Sequence, residues 1–230
     1  MSERPQPLTA IEARILGVLI EKEKTTPDAY PLTLNSLTIG CNQKTSRDPV
    51  MNLAESEVLA ALDELRGRTL VIETFGASGR VLRYAHNFGK VYQLPGAAVA
   101  LLAVLALRGP QTVSELRANC DRLQHFVDAS SVEGYLDELA ARSGQPLAVL
   151  LPRQPGAREQ RWAHLLCGEP VVAMAAAAVA APAAGRGELE ARVGGLEREV
   201  EVLRGELSEL RDELRNALRA SSAHPPTAQG

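Results

Sequence analysis

The polar segment of residues 42–52 holds the side chains of this sequence that are best suited to bind a charged ligand. Lys44 and Arg47 supply positive charge there, beside asparagine and glutamine side chains. Cations at such a corner can contact phosphate oxygens or a partner protein, and we expect Arg47 and Asp48 to face that ligand or solvent. The alternative is structural, with Asp48 and Asn52 turning and capping the chain while Arg47 pairs locally.

Further arginines lie near two predicted β-hairpins and form a second group of candidate contacts with a nucleic acid or a partner. They are Arg66, Arg68, Arg80 and Arg83 near the first hairpin, and Arg153, Arg158 and Arg161 near the second. The helices that precede these hairpins carry carboxylates at exposed positions, including Glu55 and Glu133. Because carboxylates repel phosphates, we expect any DNA contact to run through the hairpins rather than through a helix in a groove.

The sequence contains no constellation typical of an enzyme. It has no H-E-x-x-H, no G-x-S-x-G and no glycine-rich phosphate loop after a strand. His86, His125 and His164 stand apart from one another, and the three cysteines are too widely spaced for a disulfide framework or a zinc site. We therefore predict a non-catalytic protein with no cofactor, no metal site and no small-molecule substrate.

The candidate contacts of the first half are positioned by a predicted winged-helix domain over residues 8–94. Its predicted elements are helices over residues 10–23, 34–41 and 53–66, and strands over residues 69–75 and 80–86. Thr9 with Glu12 forms a capping box at the first helix, and Asn52 with Glu55 is expected to cap the third. Three helices followed by a hairpin is the order of a winged helix, in which the hairpin is the wing.

The same order recurs over residues 95–168, which predicts a second winged-helix domain. A helix over residues 97–107 is followed by a capping box at Thr112, a third helix that Ser130 is expected to cap, and strands over residues 147–151 and 161–166. The letters LDEL occur at residues 62–65 and again at residues 136–139. Such self-similarity indicates a duplicated domain, and the fold class is mainly α with small β-hairpins.

A C-terminal coiled coil is predicted beyond the two domains, after an alanine- and proline-rich linker over residues 169–187. The coil spans residues 188–219, and a disordered tail follows over residues 220–230. Its seam residues, at heptad spacing, are Leu189, Val193, Leu196, Val200, Leu203, Leu207, Leu210 and Leu214. Valine at position a with leucine at position d favours two parallel strands, so we predict a parallel homodimer.

The charge and hydropathy of the sequence limit its partners and its location. Residues 1–169 contain 18 Lys and Arg against 19 Asp and Glu, and the remainder contains 7 against 9. Neither part has the basic excess that is typical of nucleic-acid binders. The longest apolar run, residues 171–184, is too short to cross a bilayer, and the N-terminus has no apolar signal core. We expect a cytoplasmic protein that is neither exported nor inserted in a membrane.

Four motifs resemble those of the YceH-like family, bacterial proteins of unknown function. They are NQKTSRDPVMNL at residues 42–53, RVLRYAH at residues 80–86, LRGPQT at residues 107–112 and SVE at residues 131–133. The resemblance covers residues 8–167 and implies a tandem winged-helix fold without implying an activity.

Taken together, the sequence predicts a dimeric DNA-associated regulator that contacts DNA through its wings. The alternative is a protein-interaction scaffold that uses the same surfaces without binding DNA.

Overall fold

The computed structural model describes residues 6–75, 79 and 81–170. Within these residues the chain is mainly α-helical with two small antiparallel hairpins, which confirms the α+β expectation. Arg80, the linker after residue 170, the predicted coil with its eight seam residues and the predicted tail lie outside the described residues. The coiled-coil homodimer therefore stays a prediction.

The first unit of the fold contains three helices followed by a hairpin. Its elements are α1 (Ala10–Thr25), a 3-10 turn (Pro27–Ala29), α2 (Leu34–Cys41), α3 (Glu55–Gly67), β1 (Val71–Phe75) and β2 (Leu82–His86). The capping box expected at Thr9 is present, since its hydroxyl accepts from the Glu12 N–H and its own N–H donates to the Glu12 carboxylate. The strands pair antiparallel from Val71 opposite His86.

The second unit repeats this order after a short connecting helix, α4 (Phe88–Tyr92), which the sequence did not predict. Its elements are α5 (Gly96–Arg108), α6 (Val113–Cys120), α7 (Ala129–Ala140), β3 (Ala148–Leu150) and β4 (Trp162–His164). The capping box expected at Thr112 and Glu115 is present. The helices are close to their predicted bounds, whereas the paired part of the hairpin is shorter than predicted.

Both units also share a backbone bridge ahead of their second helix. Leu32 pairs with Tyr84 in β2, and Gln111 pairs with Trp162 in β4. In each case the N–H groups and carbonyls of both residues bond to each other. The bridge ties the start of the second helix to the hairpin, so the repetition extends from the order of elements to their pairing.

The interior of the fold is built around α1 and α5, which pack on each other. Residues 12–20 of α1 and 98–105 of α5 are buried without interruption, as expected for helices that are enclosed on all sides. A Cβ at Gly17 would lie 2.8 Å from Cγ of Leu107, so only glycine permits this close approach. The hydrophobic core is therefore continuous across the predicted boundary at residues 94 and 95.

The predicted N-cap of α3 is wrong. The helix starts at Glu55 after Ala54, whose N–H donates to the Glu57 carboxylate. Asn42 explains the shift, because its side-chain amide bonds both the N–H and the carbonyl of Leu53 and holds the chain extended there. Asn52 therefore lies too far upstream to cap the helix.

The predicted N-cap of α7 is also displaced. Asp128, rather than Ser130, caps this helix, and its carboxylate accepts from the N–H of Ser131 at 2.8 Å. The hydroxyls of Ser130 and Ser131 donate to the same carboxylate oxygen. Ser130 is thus a helical residue that supports the cap.

Candidate functional site

Arg47, the central residue of the predicted contact corner, is buried, and the expectation that it faces solvent is wrong. Its side chain has no exposed area. Its guanidinium donates to both carboxylate oxygens of Glu21, to the Gln43 side chain at 2.6 Å and to the carbonyl of Gly40. This is the local pairing that was the structural alternative. A buried guanidinium with all of these partners is not available to a phosphate.

The rest of residues 42–52 fastens α1 and α2 to the C-terminal end of α5. The N–H of Asp48 donates to the carbonyl of Leu107 at 2.8 Å, and Arg108 donates to Oγ of Ser46 at 2.7 Å. From α1, the buried Arg14 donates to the carbonyls of Cys41 and Pro49. We call residues 42–52 the clasp segment, because their polar contacts join the two units.

Burial governs the ionisation of the groups around the clasp segment. Desolvation alone would raise the pKa of Glu21, but the hydrogen bonds and charge of Arg47, helped by Lys22, outweigh it and lower that pKa. Burial raises the pKa of the Cys41 thiol to about 12, which leaves it protonated and unreactive at neutral pH. On this segment Lys44 and Asp48 are exposed, and Lys44 forms no salt bridge within the described residues.

The candidate arginines of the first hairpin are occupied by contacts within the fold. Arg66 forms salt bridges with Asp63 and Glu73, each at 3.1 Å. Arg68 donates to the carbonyl of residue 6 and lies 3.8 Å from the Glu12 carboxylate. Arg83 donates to the carbonyl of Pro31 at 2.7 Å. Arg80 lies outside the described residues. Each of the other three predicted contacts is therefore held at least in part by bonds within the fold.

The candidate arginines of the second hairpin divide into one paired and two available side chains. Arg161 forms a two-pronged ion pair with Glu115, at 2.7 and 3.0 Å, and also donates to the carbonyl of Pro110. Arg153 and Arg158, in the loop between β3 and β4, are exposed. Neither forms a salt bridge within the part of the chain that the structure describes.

Arg153 and Arg158 line a groove of about 500 Å³ between the second hairpin and α7, which we call the second-hairpin groove. Glu133 and Asp137 of α7 line its other side, and they too are without an ion pair among the described residues. The apolar part of its lining comes from Val113, Leu150 and Trp162. The groove therefore combines unpaired positive charge, unpaired negative charge and apolar surface.

Sequence reasoning found the two arginines of the groove but not their opposite side. The sequence pattern presents the carboxylates of α7, such as Glu133, only as groups that repel phosphate. Trp162, the only tryptophan of the chain, lies in β4 and is only 6% exposed, yet it lines the groove, and no local sequence pattern marks it for that role. Leu150 is 41% exposed, which only the structure could show.

The described histidines and acidic residues do not gather into a metal centre. No group of three or more His, Cys, Asp or Glu side chains is placed to hold a metal ion within residues 6–75, 79 and 81–170. His164 is half-buried, and desolvation lowers its pKa to about 4. Among the helices of the same residues, none is long and apolar enough to span a membrane.

Comparison with known proteins finds a family match that spans the first unit and most of the second. Residues 8–158 match the family model described as "Protein of unknown function, DUF480". The chain is 55% identical over 214 residues to a UPF0502 protein of Leptothrix cholodnii, covering 90% of this chain and 95% of that protein. It is 56% identical over 217 residues to a UPF0502 protein of an Acidovorax species, covering 92% and 96%. With a UPF0502 protein of Burkholderia orbicola the identity is 63% over 162 residues, covering 70% and 67%.

Proposed function

This chain belongs to the DUF480 family of bacterial proteins of unknown function, and we propose that it is a non-enzymatic tandem winged-helix protein that binds a partner protein through the second-hairpin groove. The family membership agrees with the resemblance found at residues 42–53 and 80–86. The winged-helix assignment is supported by three helices and a hairpin in each unit, with the same backbone bridge in both. A fold of this kind does not specify a ligand, so the function is argued from the groove.

The observation that carries the proposal is the pair of unpaired charged walls in the second-hairpin groove. Arg153 and Arg158 come from the hairpin loop, which also contributes Glu159, whereas Glu133 and Asp137 come from α7. Trp162 also lines the groove. A nucleic-acid backbone offers only negative charge and would meet three carboxylates. A polypeptide offers both signs of charge and apolar side chains, so it can satisfy both walls and the apolar surface together.

The test compares charge reversals on the two walls in the intact protein. We expect a stoichiometric protein partner, captured from a lysate of the source bacterium and identified by mass spectrometry, to be lost with Arg153→Glu/Arg158→Glu. The same partner should be lost with Glu133→Lys/Asp137→Lys, because each wall pairs with a different charge of the polypeptide. Lys44→Glu is the matched control, since it reverses an exposed lysine outside the groove and should retain the partner. Retention by both groove variants would contradict the proposal.

A second candidate, DNA binding through the second wing, is favoured by the availability of Arg153 and Arg158. The acidic side chains of α7 distinguish the two functions, because they should affect the affinity for a polypeptide and for DNA in opposite directions. Replacing Glu133 and Asp137 with lysine should weaken the binding of a polypeptide that uses both walls. The same change should strengthen the binding of DNA, because it removes a repulsion of the phosphates. An electrophoretic shift assay on mixed genomic fragments at several salt concentrations measures the second outcome, with a steep salt dependence expected for phosphate contacts.

We also propose that the intact protein is a parallel homodimer through residues 188–219. The support is the heptad spacing of its leucines and valines, which favours two strands. Light scattering should show a dimer for the full chain and a monomer after deletion of residues 188–230. Leu203→Pro should have the same effect, because proline breaks a helix at a cost of about 3 kcal/mol. A deletion variant that is still dimeric at micromolar concentration would place the main interface in the two units.

A further inference from the structure

A second cavity of the second unit adjoins the second-hairpin groove. It encloses about 350 Å³ along α6 and the loop that follows this helix, and the ring of Phe126 forms part of its lining. Ser114 and Ala129 line both this cavity and the groove. These two small residues stand at the starts of α6 and α7, so little side-chain bulk separates the two spaces. We call this second space the α6 cavity.

The polar and small residues of the two spaces follow one face of each helix. Their spacing of three or four residues places them on the same side of an α-helix. They are Ser114, Arg117 and Asp121 in α6 and its C-cap, and Ala129, Glu133 and Asp137 in α7. At the helical rise these faces extend for about 10 Å and about 12 Å. A fully extended chain of about seven residues would therefore lie along both.

The charges of the groove suit an extended chain. The side of α7 offers Glu133 and Asp137, whereas the hairpin loop offers Arg153 and Arg158 together with Glu159 and so keeps one net positive charge. Successive side chains of an extended chain point in opposite directions, whereas neighbouring side chains of a helix diverge by only about 100°. In an extended chain, a basic residue can therefore meet α7 while the acidic residue next to it meets the hairpin loop.

Arg117 is the cation of the α6 cavity. Its guanidinium donates to the carbonyls of Phe126 and Val127, which are neutral, and it forms no salt bridge among the described residues. Asp121, which also lines the cavity, already bonds Nδ1 of His125 at 2.8 Å. A guanidinium binds a carboxylate more strongly than it binds a neutral carbonyl. The α6 cavity therefore offers a contact to an acidic side chain.

A neighbouring carboxylate, that of Asp128, does not occupy Arg117. Hydrogen bonds from Ser131 and Ser130 are the main causes that lower the pKa of Asp128, and the charge of Arg117 is the last of them. No salt bridge joins Arg117 and Asp128 within the part of the chain that the structure describes. Arg117 therefore remains available to a carboxylate of a ligand.

We propose that the second-hairpin groove and the α6 cavity together bind one extended polypeptide segment of mixed charge. An acidic and a basic residue lie side by side in the groove, and a second acidic residue reaches Arg117. Leu150 and Trp162 offer apolar surface to the other side chains of the segment. This inference rests on the proposed function, since it names the kind of polypeptide that the groove takes.

A phage-displayed library of random dodecapeptides, selected on the full-length protein, supplies the probe. We expect the enriched sequences to share an adjacent acidic and basic residue, with a second acidic residue about three positions away. Fluorescence anisotropy of one labelled, enriched peptide gives its affinity. Replacing the outer carboxylate of this peptide with its amide should weaken binding to wild type by about tenfold, as expected for the loss of one charge-assisted contact. The same replacement should leave binding to Arg117→Met unchanged, because that contact is already lost.

A second variant tests whether the two spaces hold one ligand. Ser114 is exposed at the second position of α6, so Ser114→Trp should fold, as checked by circular dichroism. Its indole would stand where the groove and the α6 cavity meet, and it should weaken binding of the enriched peptide by more than about tenfold. Ser56→Trp is the matched control, because it changes an exposed serine at the second position of α3, outside both spaces, and should leave the affinity unchanged.

The outcomes distinguish this inference from the proposed function. A peptide that is lost with Arg153→Glu/Arg158→Glu, but binds Ser114→Trp as tightly as wild type does, would overturn the inference and leave the groove as a polypeptide site. Enrichment without the second acidic residue, or no enrichment at all, would also overturn it. The proposed function is decided separately, by the captured partner and the two groove variants.

Discussion

Two loops occupy corresponding places in the two units, one between α2 and α3 and the other between α6 and α7. An arginine bonds each loop, but it is buried in the first unit and exposed in the second. In the first unit Arg47 is buried in the clasp segment and bonds Glu21. In the second unit the exposed Arg117 donates to the carbonyls of Phe126 and Val127 from outside. The difference follows from what covers each loop, because Asp48 in the first segment bonds the carbonyl of Leu107 at the end of α5.

Two units with the same order of elements therefore use their charged side chains differently. The clasp segment lies where the two units meet, and its arginine, Arg47, is part of the interior. Among the described residues no further unit covers the corresponding loop of the second unit, and Val127 in that loop is 78% exposed. Cations of the second unit, including Arg153 and Arg158, consequently remain at the surface. A contact function argued for one unit therefore cannot be transferred to the other by position alone.

The largest expected effect is the loss of the clasp. Arg47→Ala should lower the free energy of unfolding by about 3 kcal/mol, because it leaves Glu21 partly buried without its partner. Arg117→Ala should lower it by about 1 kcal/mol, because one of its two hydrogen bonds is exposed to water and the other is only partly buried. Urea unfolding of the two variants gives both values. Equal losses would show that burial does not distinguish the two loops.

A smaller effect is expected from one substitution made at two helical glycines. Gly17→Ala places a Cβ 2.8 Å from Cγ of Leu107 at the junction of α1 and α5, and such overpacking costs about 1–3 kcal/mol. Gly134→Ala, in α7, meets no heavy atom within 4 Å and should stabilise by up to about 1 kcal/mol through helix propensity. Thermal unfolding should therefore show shifts of opposite sign, and two upward shifts would mean that the junction accommodates a methyl group.

Local sequence signals predicted the elements of both units well, because a capping box or a periodic helix depends on residues within a few positions. Thr9 with Glu12 and Thr112 with Glu115 are examples. The burial of Arg47 depends on Glu21, 26 residues earlier, and on α5. No local pattern reports such distant contacts, and arginine is ordinarily exposed. The short helix α4 has no side-chain cap, so no capping signal in the sequence marks its start.

The pH dependence of stability should sharpen the contrast between the loops. The pKa of Glu21 is lowered in the folded protein from its ordinary value of 4.5. Its ion pair thus contributes stability above that value, and this contribution is lost as the pH falls through the folded pKa. The difference in free energy of unfolding between wild type and Arg47→Ala should therefore shrink between pH 6 and about pH 3. For Arg117→Ala the difference should change much less over the same range, because its hydrogen-bond partners are carbonyls and its charge is only the last of the causes that lower the pKa of Asp128.

The smallest effect concerns the arginines of the second hairpin, where one is paired and the others are available. In a double-mutant cycle, Arg161 and Glu115 should show a coupling energy of about 0.5 kcal/mol, since their two-pronged pair is roughly 40% exposed. Arg158 and Glu133 line the same groove without forming a salt bridge, so their coupling should be close to zero. A coupling between Arg158 and Glu133 as large as that of the formed pair would mean that the walls of the groove satisfy each other in the free protein. The charged walls would then no longer favour a polypeptide ligand, and the functional argument would have to rest on the apolar surface around Trp162 alone.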